Sequence, residues 1–315
     1  MPEGLRDLDE PAVAGASSSG QAKTRPVDTR DLLGRRDHAA LMPIARNGLI
    51  RLHWDSTGTG TPVLLISGQS MTLDAWWRTV PDLAASFRVL SFDNRDIGRS
   101  SRSPWPYVVP QMADDAIAVL DAARVEKAHV YGISLGGMVA QEVALRHPER
   151  VDTLVLGATT PGGPEAVLAE PQPLTFFVRV GAMASEEAEW AAVPYNYSTR
   201  TRRHHGERIA EDIARRLKHP TDPLAYLHQV AAAASHNTIG RLAQISAPTL
   251  ILHGEDDVIM PPQNGRQLAR SIPNAELRTL PGAAHLYTTD EPEAGQYVRR
   301  FLEAQTSVGR RRPAA

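Results

Sequence analysis

The chain has 315 residues, 34 Lys+Arg against 36 Asp+Glu for a formal net charge of -2, 42% hydrophobic residues and no cysteine. That length accommodates one large domain or two small ones, with enough apolar content for a sizeable core. Near-neutral charge argues against a nucleic-acid partner, and the lack of cysteine excludes disulfides, thiolate metal sites and cysteine nucleophiles. Lys23, Lys127 and Lys218 are the only lysines, and the arginine-rich remainder reads as compositional bias rather than a phosphate-binding device. No apolar run reaches the ~18–20 residues that a membrane span needs. The stretch Ala39 to Ala45 is broken by Pro43 and closed by Arg46, too short for a secretory apolar segment. The expectation is a soluble, cytoplasmic protein with neither a membrane nor a nucleic-acid partner.

In chain order, residues 1–38 carry Ser17-Ser18-Ser19-Gly20, scattered charges and no apolar period, and read as a disordered tail. Leu49 to Trp54 alternates as a half-buried strand does, and Gly58-Thr59-Gly60-Thr61 is a turn. Pro62 to Ser67 is a short continuous apolar run, the pattern of a strand covered on both faces in a parallel sheet. Arg88 to Phe92, Ala128 to Gly132, Thr153 to Gly157, Thr249 to His253 and Ala275 to Leu280 repeat the theme. Helical segments alternate with them. Met112 to Ala123 sets Met112, Ala116, Val119 and Leu120 on one face, and Leu135 to Arg146 stops before His147-Pro148.

Residues 161–240 break the rhythm with helical stretches and no buried strand, which predicts an inserted helical lid over one end of the sheet. The expectation is an α/β fold with a mainly parallel sheet flanked by helices. Its core spans 39–160 and 241–305, and a flexible tail covers 306–315.

Gly132-Ile133-Ser134-Leu135-Gly136 is a G-x-S-x-G sequence set between an apolar strand and a helix. A strand that turns this sharply into a helix needs small residues at both ends, and it leaves the serine hydroxyl exposed at the strand's C-terminal edge. Serine is a weak nucleophile until a base takes its proton and an acid orients that base. His285 follows the last apolar strand, and Asp256 and Asp257 follow the one before it, so all these loops open at the edge where α/β proteins place their sites.

The chain resembles the α/β-hydrolase superfamily over roughly residues 44 to 304. The likeness rests on Ser67-Gly68-Gln69, on Asp93 to Ser100, on the serine turn, on Gly254 to Pro261 and on Gly282 to His285. It implies a serine hydrolase with Ser134 as nucleophile, His285 as base and Asp257 as acid. In the family's G-x-x-D-x-x-x-P arrangement Asp257 holds the acid position, and Asp256 would take it only if the loop were shifted. The oxyanion hole falls to the Leu135 amide at the helix start and to the Gln69 amide. Here the sequence departs from relatives that carry His-Gly at Ser67-Gly68.

Asp93 and Arg95 are expected to brace loops. Trp76 and Trp77 are expected either to line the acyl side of the pocket or to be plain core. His204, His205, His219, His228 and His236 lack any ligand spacing, so no metal is expected, and the lack of a phosphate loop or dinucleotide motif implies no cofactor. Within the superfamily the Asp93–Ser100 stretch is similar to polyketide methylesterases and 3-oxoadipate enol-lactonases. The resemblance therefore implies a small to medium apolar ester or lactone of secondary metabolism as substrate. Thioesterase, C–C hydrolase and cofactor-free haloperoxidase chemistry remain open on the same residues, as does a hydrolase-fold binding or ring-forming protein with little turnover. A homodimer is also left open.

Overall fold

The computed structural model describes residues 43–311. The tail expected over residues 1–38 lies outside the described residues. Eight strands form one sheet: β1 (Ile44–Asn47), β2 (Ile50–Thr57), β3 (Thr61–Ile66), β4 (Phe87–Phe92), β5 (Ala128–Ile133), β6 (Val151–Gly157), β7 (Thr249–Gly254) and β8 (Ala275–Leu280). Their order is β1-β2-β4-β3-β5-β6-β7-β8, antiparallel from β1 to β4 and parallel from there to β8. Helices α1 (Thr79–Ala84), α2 (Val109–Ala122) and α3 (Leu135–Arg146) connect the first strands.

Between β6 and β7 the chain runs through α4 (Pro171–Arg179), α5 (Ser185–Ala191), α6 (Val193–Asn196), α7 (Thr199–His204), α8 (Gly206–Arg216) and α9 (Pro223–Ala234). The remaining helices are α10 (Gln263–Ser271), α11 (Tyr287–Asp290) and α12 (Ala294–Arg311). None of the helices among the described residues is long and apolar enough to cross a membrane.

The apolar runs have a direct cause. Alternate residues of one strand point to opposite faces, and each face is covered. Leu64, Ile66, Val130, Leu154 and Leu156 pack with residues of α2 and α3, whereas Val63, Leu65, Tyr131, Val155 and Leu252 pack with Leu83 of α1 and Val298 and Leu302 of α12. Strands sandwiched this way have no solvent face and so no polar alternation.

Two boundaries differ from expectation. The strand β1 is too short for a periodic signal, and a left-handed Gly48 (φ +56°) turns it into β2. The final helix runs on to Arg311, where a tail was expected from residue 306, and residues 312–315 lie outside the described residues. It is tied down where the Thr306 hydroxyl donates to the Leu302 carbonyl at 2.8 Å and meets His129 Nε2 at 3.0 Å.

His236, just beyond α9, is buried, and among the described residues neither ring nitrogen has a hydrogen-bond partner. Burial, helped by nearby Arg241, pushes it down from 6.5 to about 4. The native state therefore holds it neutral while the unfolded chain can protonate it, so its contribution to stability is complete above pH 6.5 and is lost as pH falls toward 4. Thermal melts across this range should show the loss, and His236→Leu should recover part of it, on the order of 2–3 kcal/mol at the acid end. An identical pH slope in the variant would contradict the assignment.

Candidate functional site

Ser134 sits where β5 turns into α3, with φ +55°. A non-glycine residue held there stores strain of order 1–3 kcal/mol, and the surroundings impose it. The Ser134 N–H donates to the Gly157 carbonyl at 2.9 Å, and the Thr159 hydroxyl donates to the Ser134 carbonyl at 2.8 Å. The flanking glycines are required by close approach: a Cβ on Gly132 would collide with the Gly136 carbonyl, and one on Gly136 with the Ile66 carbonyl. The turn therefore presses α3 onto β3 and leaves the hydroxyl at the carboxyl edge of the sheet.

The loops after β7 and β8 meet that hydroxyl. His285 Nε2 lies 3.1 Å from Ser134 Oγ, and His285 Nδ1 lies 2.8 Å from Asp257 Oδ2. Asp257 is buried, and its other oxygen accepts the Ile259 and Met260 N–H groups at 2.9 and 2.8 Å. Burial alone would raise the Asp257 carboxyl. The charge interaction with His285, the hydrogen bond from it and the nearby His253 outweigh burial and hold the group at about 2.

A carboxylate that can only accept takes the Nδ1–H of His285, which leaves the Nε2 lone pair for the serine proton. Asp256 is exposed, so the loop is not shifted by a residue. His253, which sequence reasoning missed, stands behind the carboxylate. Its Nε2 donates to the Met260 carbonyl at 2.7 Å and lies 3.5 Å from Asp257 Oδ2.

Across from the hydroxyl lies the loop after β3. Gly68 is so close that a Cβ there would stand 3.3 Å from Ser134 Cβ. Among the described residues neither the Gln69 nor the Leu135 N–H has a protein acceptor. Leu135 is the first residue of α3, where the helix dipole adds positive potential. Two free donors beside a serine hydroxyl can stabilise a charge that develops on an oxygen between them.

Ser134, His285 and Gln69 open on a cavity of about 420 Å³, walled by Met71, Leu174, Phe177, Val180, Tyr226 and Met260 among others. The Tyr226 hydroxyl donates to the Phe177 carbonyl at 2.6 Å and also meets the Gln69 side chain; burial pushes its pKa up to about 12. The wall comes mostly from the insertion between β6 and β7, whose side chains carry no short-range signal in the sequence.

The structure does not bring Trp76 and Trp77 to this cavity. They border an adjoining void of about 40 Å³ that shares Gly68, Met71, Ile133 and Leu286 with the cavity. Trp76 is buried edge-on against Tyr131 at 4.9 Å, while Trp77 donates to Asp212 at 3.0 Å and is stacked by Arg78 and Arg215. Trp76 ends a short helical turn over Leu73–Trp76 and Trp77 follows it, so of the two roles expected for them packing is the one their contacts show. Asp93 accepts the Leu73 and Arg99 N–H groups, each at 2.8 Å, and Arg95 pairs with Asp115 at 2.5 Å. Among the described residues, no group of three or more His, Cys, Asp or Glu side chains is placed to hold a metal ion.

The same architecture recurs in known proteins. Residues 61–292 match the family model for the alpha/beta hydrolase fold. RutD of Azorhizobium caulinodans, named as a proposed carbamate hydrolase, is 31% identical over 80% of this chain and 94% of its own length. A thermophilic esterase from Thermogutta terrifontis superposes with a TM-score of 0.71 at 28% identity, covering 83% of this chain and 97% of that one. Est816, described as an N-acyl homoserine lactone degrading enzyme, superposes with a TM-score of 0.69 at 29% identity, covering 83% and 99%. With the fold, the strained serine turn and these likenesses together, the chain belongs to the alpha/beta-hydrolase family.

Proposed function

We propose that the chain is a serine hydrolase that cleaves a carboxylic ester or lactone of a small to medium apolar substrate through an acyl-enzyme. The observation that carries this reading is the unbroken line of hydrogen bonds from Ser134 through His285 to Asp257, opening on an apolar cavity beside two unpaired amides. The cavity volume falls within the ~300–1,000 Å³ of small-molecule sites. Relatives described as an esterase and as a lactone-degrading enzyme support the substrate class.

Ser134 Oγ attacks the substrate carbonyl while its proton passes to His285 Nε2. The carbonyl oxygen becomes negative and takes hydrogen bonds from the Gln69 and Leu135 amides, each donor being worth about 2.7–4 kcal/mol at this stage. His285 returns the proton to the leaving oxygen. That oxygen departs as an alcohol, or stays tethered as the opened arm of a lactone. Water, deprotonated by the same imidazole, then releases the acid and restores the serine.

Asp257 holds the imidazole in the productive tautomer and offsets its transient charge. The helical insertion acts as a lid that supplies the apolar wall and excludes water, which strengthens each of these interactions. No step requires a metal or cofactor.

Hydrolysis of short p-nitrophenyl esters tests the assignment. Ser134→Ala should lower turnover about 10⁴-fold or more with an unchanged melting temperature. Retained turnover would defeat the mechanism. Asp257→Asn should cost about 10³–10⁴-fold because the wrong tautomer is favoured, whereas the exposed Asp256→Asn should change the rate by less than about twofold. The reverse order would move the acid to position 256.

A further inference from the structure

The amide of Gln69 is useful only if something aims it, and two contacts on its loop come from far along the chain. The Ser70 N–H donates to the Gln229 side-chain oxygen at 2.7 Å, and the Thr221 hydroxyl donates to the Ser70 carbonyl at 3.3 Å. Gln229 lies on α9 of the insertion, and Thr221 stands just before it. Because the donor is a backbone N–H, the oxygen of the Gln229 amide must face it. Ser70 has φ +59°, a left-handed conformation that a serine keeps only when its neighbours impose it.

Gln229 is fully buried, and its amide nitrogen has no hydrogen-bond partner among the described residues. Methionine would fill similar space without leaving a buried donor unpaired, so packing alone does not account for a glutamine here. The residue keeps this penalty in exchange for one contact, the bond to Ser70. The same helix walls the cavity through Tyr226 and Val230. One rigid element thus touches both the substrate space and the loop beside the serine.

We propose that Gln229 is a positioning residue, clamping Ser70 in its left-handed conformation so that the adjacent Gln69 N–H points at the oxygen that becomes negatively charged. This rests on the serine-hydrolase reading above. It adds that the insertion joins the core, where the Asn94 side chain donates to the Ser67 carbonyl at 3.0 Å, in setting the donor on the β3 loop.

The test is steady-state hydrolysis of p-nitrophenyl butyrate by the full-length protein, with active sites counted by fluorophosphonate titration. Gln229→Met should lower kcat per active site about 10- to 100-fold with KM within about twofold, and Gln229→Glu, which keeps an acceptor oxygen, should recover kcat to within about fivefold of wild type. A trifluoromethyl ketone, which adds to the serine to give a tetrahedral oxyanion, should bind Gln229→Met more weakly by the same factor as the loss in kcat. A purely structural role would reduce the number of titratable sites and leave kcat per site unchanged.

If Gln229→Met does not melt cooperatively, Thr221→Val removes the other contact on Ser70. It must then lower kcat in the same sense, and wild-type kcat per site there overturns the proposal. Wild-type kcat per site in a folded Gln229→Met overturns it directly. Turnover that survives Ser134→Ala, or no turnover at all, defeats the serine-hydrolase reading and this inference with it. Ser134-dependent turnover with an unaltered Gln229→Met defeats the inference alone.

Discussion

The turn between β5 and α3 is the constraint on which the remaining geometry depends. Its backbone is left-handed at a residue with a side chain, and it fits only because Gly132 and Gly136 let the strand end, the helix start and the neighbouring β3 come into contact. A turn of that kind relaxes unless both sides are fixed. They are fixed here: β5 is paired in parallel with β3 and β6, and α3 is buried along most of its length. The two-sided packing of the sheet therefore appears at the site as a serine held at the carboxyl edge of the sheet, beside the helix N-terminal amide of Leu135.

The second requirement is electrostatic. A buried carboxylate is costly unless its oxygens are hydrogen-bonded, and Asp257 has both satisfied, one by two backbone amides and the other by His285 with His253 behind it. The imidazole is oriented by a group that is itself immobile. The loop that carries His285 is held in turn by Asp290, whose carboxylate accepts the Ala284 N–H at 2.7 Å and the Ser198 N–H at 3.0 Å. The Leu286 N–H donates to the Asn196 carbonyl at 2.9 Å. Both sides of the cleft, the histidine loop and the β3 loop, are thus fastened to the insertion between β6 and β7.

This division explains what could be read from the residues alone. The serine turn was legible because its geometry demands particular residues within five positions. Asp257 was separable from Asp256 by its likeness to the family's G-x-x-D-x-x-x-P arrangement, and the structure buries Asp257 while leaving Asp256 exposed. The strands were legible because covering both faces removes polar alternation. The contacts of the insertion were not legible: Ser70 and Gln229 lie 159 positions apart, and no periodicity encodes such a pairing. Trp76 and Trp77 misled for a related reason. They follow the Gln69 loop closely in sequence, but long-range contacts with Tyr131 and Asp212 take them up.

The central claim is that Ser134 is an activated nucleophile held by these supports. Its most direct test is the intact mass of the purified protein after treatment with a fluorophosphonate, compared with the Ser134→Ala variant. The account predicts a single adduct on the wild-type chain, mapped to the peptide containing Ser134, and none on the variant. An unlabelled wild-type chain, or an adduct that persists in Ser134→Ala, would contradict it.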